Sequence, residues 1–279
     1  MKQKLILFFL VILAVAACYP IIFLIAGSLM GYQELGAYLA PVLGEAKGFA
    51  GWTLFPVYPT LRGYVELLLD SPSFFIMFWN SAAITGGILI GQLLTGVTAA
   101  WGFARYEFAG KRVLFTIYIA LMMMPFQVTM LSSYLILNKL GLLNTHWALI
   151  LPGAFSTFSV FLMYRFFTSI PEAVMESARL DGAGEWQIFM YMGLPLGSGG
   201  IVSAMVLGFL ECWNLIEQPL AFLKDKALWP LSLYLPEIGQ DKAGFAFAAS
   251  VVTLVPSVFV FLLGRDYLEK GIVASGLKE

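Results

Sequence analysis

The chain has 279 residues, of which 60% are hydrophobic and 12% charged, with a net charge of −1. A soluble domain carries about a quarter charged residues, so this composition excludes an ordinary soluble fold and places the chain in a bilayer. The balanced charge offers no basic surface for nucleic acid. Cys18 and Cys212 both lie in apolar runs, read as small buried hydrophobes, and suggest neither a disulfide nor a metal site.

Lys2 and Lys4 precede an apolar run that reaches Met30. Val15-Ala16-Ala17-Cys18 looks like a lipoprotein cleavage site, but the run continues well past Cys18. That is too long for the apolar core of a signal peptide, so the segment is read as an uncleaved first span over 5–30. Residues 31–72, rich in aromatics and proline, are expected to order against the membrane surface; a plain connector is the other reading. Five further spans are expected near 73–103, 112–137, 146–168, 197–222 and 243–264. The fold expected is therefore all-α, a single polytopic domain over 1–279 with six membrane helices. Pro20, Pro125, Pro152, Pro219 and Pro256 fall in or beside these spans and predict kinks. Gly27/Gly31 and Gly87/Gly91 read as helix-packing pairs. Met122, Met123 and Met124 read as core or lipid-facing, and the single histidine, His146, as an interfacial residue beside Trp147. The short, charged segment near 223–242 reads as a connector, and it or 31–72 could instead touch an external partner.

Basic residues orient such a chain. With six spans both termini share a side, and Lys2, Lys4, Arg105, Lys111, Arg112, Arg165, Arg179, Arg265, Lys270 and Lys278 fall on it. Lys47, Arg62, Lys139, Lys224, Lys226 and Lys242 fall opposite. This bias puts both termini in the cytoplasm, together with the polar island 171–195 between spans four and five. The tail 265–279 carries only weak signals and reads as an unstructured end or a contact for a partner.

In that island Pro171 suits a first helical turn, and Glu172 then sits at the positive end of the helix dipole. Glu172 and Glu176 share a face, and Asp181-Gly182 is a stop signal with Gly182 suited to a left-handed cap. Trp186, Phe189, Met190 and Gly193 recur at amphipathic spacing, which predicts a second helix ended by Pro195. The small residues Ala173, Ser177, Ala178, Gly182 and Ala183 allow close approach of a partner. From physics alone the island is either a docking element or a plain link between spans.

In span five, Glu211, Asn214 and Gln218 repeat at helical spacing and form one polar stripe. Ionisable groups in the membrane are costly and normally face a partner or a wet cavity. The stripe is read as facing a pathway or a partner subunit, with interhelical hydrogen bonding as the other reading. Glu217 reads as reaching the outer interface.

Glu176-Ser177-Ala178, Asp181-Gly182-Ala183 and Leu194-Pro195 together resemble the EAA loop of integral-membrane permeases in binding-protein-dependent ABC importers. The chain is similar to the MalG-type subfamily, which serves sugar importers. Asn80-Ser81, the run Ala99 to Arg105, Phe108 to Lys111, Met124-Pro125, Leu140 to Thr145, Trp213-Asn214, Pro219-Leu220 and the tail around Gly271 and Gly276-Leu277-Lys278 carry the likeness. Two departures stand out. Ser177 replaces the usual first alanine of the triplet, and Gly199 replaces a usual proline, which predicts a looser start to span five.

The resemblance implies a half-transporter at the bacterial or archaeal cytoplasmic membrane. Glu172, Glu176, Ser177, Ala178, Asp181, Gly182 and Ala183 would dock on a cytoplasmic ATPase. A second, homologous permease, two ATPase subunits and an extracytoplasmic solute-binding protein would complete the assembly. ATP and magnesium would bind the ATPase alone, since this chain has no Gly-rich Lys-Ser/Thr phosphate loop, and no catalytic or metal residue is expected here. The expected cargo is a sugar or oligosaccharide, with a polyol or glycerol phosphate as the alternative. An ion-driven secondary transporter is the reading of a different class, and the few intramembrane charges weigh against it.

Overall fold

The computed structural model describes residues 2–41, 55–234 and 243–276, all of whose regular structure is helical. Lys47, Lys242, Leu277, Lys278 and parts of the segments 31–72 and 223–242 lie outside the described residues. Five helical stretches are long and apolar enough to cross a membrane, and a sharply bent pair makes six if it counts as one span.

The chain divides into two compact units, Met1–Ile76 with Leu233–Pro256, and Met77–Ser232 with Ser257–Glu279. In the first, α1 (Lys2–Ser28) exposes apolar side chains from Leu5 to Leu13, as a helix apolar on all sides does against lipid. Cys18 is exposed on α1, not buried. Among the described residues its contacts with other helices lie near its end. Phe23 meets Phe247 edge to face at 5.7 Å, and a Cβ on Gly27 would stand 2.5 Å from the Phe247 ring. Gly31, expected to pair with Gly27, has no such neighbour and instead precedes α2 (Tyr32–Leu39). From α3 (Arg62–Leu69), Glu66 accepts a hydrogen bond from Tyr32 and pairs with Arg62 at 2.9 Å. Segment 31–72 is thus helical in part.

The second unit carries the interrupted helices. Helix α4 (Pro72–Gly91) runs through a π-helical turn, Gln92–Gly96, into α5 (Val97–Arg105), and Pro72–Arg105 is one span. Helices α6 (Lys111–Met122) and α7 (Phe126–Lys139) stand 106° apart. The expected kink is therefore a break. Pro125 disfavours helical backbone at Met124, and the chain restarts with Pro125 as the cap of α7. Helices α8 (Trp147–Ala154) and α9 (Thr157–Ser169) are interrupted at Phe155 and Ser156, where the Ser156 side chain accepts from the Ser159 N–H. Gly87 and Gly91 are packing sites, since added Cβ atoms would reach Ile150 at 2.9 Å and Ala154 at 2.4 Å.

Beyond α10 (Glu172–Leu180), the short α11 (Glu185–Ile188) continues through a second π-helical turn, Phe189–Gly193, into α12 (Leu194–Trp213). Pro195 does not end a helix here. It sits in the first turn of α12, where the π-helical turn has already shifted the hydrogen-bond ladder and left room for the ring. Gly199 lies inside this regular helix, and its carbonyl accepts from Ser203 Oγ at 2.7 Å. Span five ends early. Helix α12 stops at Trp213, and the separate α13 (Glu217–Phe222) follows. Helix α14 (Ala243–Gly276) carries the last span and extends the helix through most of the tail.

Around Trp101, Met163, Phe167, Met175 and Phe189 an apolar core joins α5, α9, α10 and the second π-helical turn. Trp101 meets Phe167 edge to face at 5.3 Å. At the other end, Asn144 adopts φ 58 and its Oδ1 accepts from the Lys224 and Asp225 N–H groups at 2.9 and 2.8 Å, fixing the loop after α13.

Candidate docking helix and membrane cavity

Helix α10 forms as the local chemistry dictates. Pro171 precedes it with extended backbone, Glu172 occupies the first turn and Arg179 the last. Gly182 adopts φ 84, and Ala183 N–H donates to Ala178 O at 3.0 Å, closing the end as a Schellman turn. Gly184 N–H then donates to Gln187 Oε1 at 2.9 Å and opens the next helix.

The faces of α10 separate cleanly. Met175 and Ala178 are buried in the core, whereas Glu176, Ser177, Leu180, Asp181 and Gly182 are exposed. Ala178 therefore supports the helix and does not present itself outward, contrary to the expectation for it, because it follows Met175 by three residues on the inward face. Ala183 is partly buried against the same core. Leu180 was not anticipated, yet it is 89% exposed beside the Asp181-Gly182 turn, with Trp186 exposed nearby. An apolar residue on the polar face just before a stop signal is the trace of it in the sequence.

A charge network holds the helix in place. The Arg105 side chain, only 6% exposed, donates to Glu172 Oε2 at 2.9 Å and to the carbonyls of Phe167 and Ile170 at 2.7 and 2.8 Å. Those carbonyls end α9, where only Phe167 O also accepts a backbone bond, from Ile170 N–H at 3.4 Å, so one guanidinium caps α9, closes α5 and anchors α10. Arg179 pairs with Glu185 at 2.9 Å and with Glu172 at 3.0 Å. The Glu185 and then the Glu172 carboxylates raise the Arg179 pKa further, keeping it charged. Tyr106 Oη reaches Glu185 Oε2 at 3.3 Å. Glu172, expected to face a partner, is thus engaged within the chain. Of this network only Glu172 was read from sequence as a site residue, because pairs six and 67 residues apart leave no local signal.

Within the second unit, a cavity of about 370 Å³ lies where three helix interruptions converge. Met122 and Met124 from the break before α7, Phe155 and Ser156 from the break before α9, and Leu215 from the gap before α13 all line it. Met122 and Met124 are thus cavity-lining and not simply core or lipid-facing. Glu211 and Gln218 line the same cavity, but Asn214 does not. The expected single stripe fails because α12 ends at Trp213 and Asn214 turns back to donate from Nδ2 to Leu210 O at 2.8 Å. Glu217, also expected at an interface, accepts from Gln127 Nε2 at 2.7 and 2.8 Å. His146 Nε2 contacts Leu228 O at 3.2 Å, and no group of three metal-ligating side chains gathers among the described residues.

Gln92 stitches the cavity wall together. Its Nε2 donates to Gly153 O at 3.0 Å, and its Oε1 accepts from Ser159 Oγ at 2.9 Å. The single Thr95 Oγ1 proton is shared between Gly91 O and Ala154 O, both at 2.9 Å. The π-helical turn in one span thereby satisfies carbonyls near the break in another, which an apolar medium requires. Gln92→Leu is expected to destabilise the purified protein by about 1–3 kcal/mol by leaving these groups unpaired. An unchanged thermal unfolding profile in detergent would contradict this role for Gln92.

Apolar spans, interrupted around a polar cavity and joined by a polar helix displayed between two of them, define a polytopic α-helical membrane permease fold. The chain belongs to the family described as the binding-protein-dependent transport system inner membrane component, whose family model matches residues 92–273. It is 28% identical over 222 residues to an arabinooligosaccharides transport system permease protein of Halalkalibacterium halodurans, covering 78% of this chain and 80% of that one. It is 34% identical over 191 residues to a diacetylchitobiose uptake system permease protein of Streptomyces coelicolor, covering 66% and 63%. A bacterial ABC transporter involved in the import of the acidic polysaccharide alginate shares the fold with a TM-score of 0.81 at 22% identity, over 95% of this chain and 96% of that one.

Proposed function

We propose that this chain is one permease subunit of an ATP-driven importer for a sugar or oligosaccharide. The observation that carries the reading is the family match over 92–273, a range that contains the displayed helix α10, its Gly182 turn and every cavity-lining residue but Ile88. Relatives named for arabinooligosaccharide and diacetylchitobiose transport support a carbohydrate cargo. In this reading both termini and α10 face the cytoplasm. Glu176, Ser177, Leu180, Asp181 and Gly182 seat on an ATPase subunit, which holds the ATP and magnesium. Glu172 serves the anchor that transmits force through Arg105 into α5 and α9. A second permease completes the passage, an external binding protein delivers the solute, and Glu211 and Gln218 border its path.

The test is uptake into proteoliposomes that hold the reconstituted subunits. Uptake is expected to require both ATP and the ATPase subunits. Uptake that persists without an ATPase, driven by an ion gradient, would overturn the importer reading.

A further inference from the structure

Backbone that leaves the helix at membrane depth is tolerated only where it is buried in protein or lines a wet cavity. Three such interruptions, at Met124-Pro125, Phe155-Ser156 and Leu215-Ile216, contribute side chains to one cavity. Convergence of broken helices on a single volume marks a place built for a polar solute rather than a packing defect.

The charge of that volume is one-sided. Glu211 is exposed and lines it, and no lysine or arginine lines it among the described residues. Beside it, Glu217 sits in the first turn of α13, and its carboxylate accepts from Gln127 near the start of α7. The positive ends of both helices are thereby already compensated. At α9 the Ser156 hydroxyl caps the first turn. The remaining polar lining consists of hydroxyl and amide groups, from Gln92, Thr129, Ser133, Thr157 and Gln218, with Phe126 and Phe158 supplying apolar faces. Neutral donors and acceptors beside aromatic faces suit a polyhydroxylated ring.

We propose that this cavity is an anion-rejecting solute subsite, in which Glu211 and the surrounding hydroxyl and amide groups accept uncharged sugars and turn away carboxylated or phosphorylated ones. The proposal rests on the importer reading above and narrows its cargo. It sets this chain apart from the transporter of similar fold that imports an acidic polysaccharide.

The complete importer is tested in proteoliposomes, with Cys18 and Cys212 changed to alanine and Ser133→Cys as a reporter in the cavity. Cationic and anionic methanethiosulfonates of matched size are compared, and neutral and uronate oligosaccharides are offered together outside. The cationic reagent is expected to react faster by roughly tenfold or more, because one carboxylate in the same cavity attracts the cation and repels the anion at an intermediate dielectric. Glu211→Gln should remove most of that preference, and only neutral sugar should accumulate in an ATP-dependent way. A ratio unaffected by Glu211→Gln, or ATP-dependent accumulation of the uronate, would overturn the subsite while leaving the importer intact. Accumulation that ignores ATP would overturn the importer reading instead, and the reagent ratio would still judge Glu211.

Discussion

Gly182→Arg is expected to abolish ATP-driven uptake while the protein inserts in the membrane at its normal level. Gly182 holds φ 84, so any side chain there costs about 1–2 kcal/mol of backbone strain. Among the described residues no atom lies within 4 Å of a Cβ placed on it, so a side chain there starts into open space. Gly182→Ala and Gly182→Arg therefore share the strain and differ only in what they present to a partner. The arginine variant should lose ATPase subunits on co-purification and retain less than about a tenth of uptake, and the alanine variant should keep most of both. Equal losses in the two variants would mean that strain alone matters, and the docking assignment would fall. Glu176→Lys, on the same exposed surface, should weaken the ATPase association in the same assay.

Arg105→Ala should be the most destabilising single change near α10, lowering stability by about 3 kcal/mol. The guanidinium is almost fully buried and serves two carbonyls at the end of α9 together with Glu172. Its removal leaves both carbonyls without that donor, and hydrogen bonds to charged groups contribute more than neutral ones. Arg105→Lys keeps a positive charge but not the planar fork that reaches three acceptors, so an intermediate loss is expected. Glu172→Ala should cost less than about 1 kcal/mol, because Glu172 is 53% exposed and solvent screens its pairs. Thermal unfolding of the purified protein in detergent ranks the three. Should Glu172→Ala prove as costly as Arg105→Ala, the carbonyl caps would not be the source of stability.

What could be read without coordinates followed locality. The bounds of α10 and the left-handed Gly182 come from Pro171, Glu172 and Asp181-Gly182, each acting within a turn or two. The apolar spans were legible for the same reason, since about 20 consecutive apolar residues commit to the membrane whatever their neighbours do. Pro195 misled because a local rule met a non-local remedy. The π-helical turn that accommodates it is held by the contact of Phe189 with Trp101, 88 residues earlier. The polar stripe misled in the opposite way. Helical spacing through Glu211, Asn214 and Gln218 assumed a continuous helix, and α12 stops at Trp213, whose ring stacks on Phe209 at 5.4 Å.

By itself the sequence determined that this is an all-helical membrane protein with a polar helix between two of its spans. Composition and short-range capping decide those features, and neither depends on how the spans pack. Tertiary structure alone decided which face of that helix is displayed, that Arg105 rather than Glu172 is the anchor, and that three breaks meet at one cavity. Each of these depends on groups dozens of residues apart sharing a small volume. In an apolar medium every freed carbonyl must find its donor, and the donors here stand on other spans.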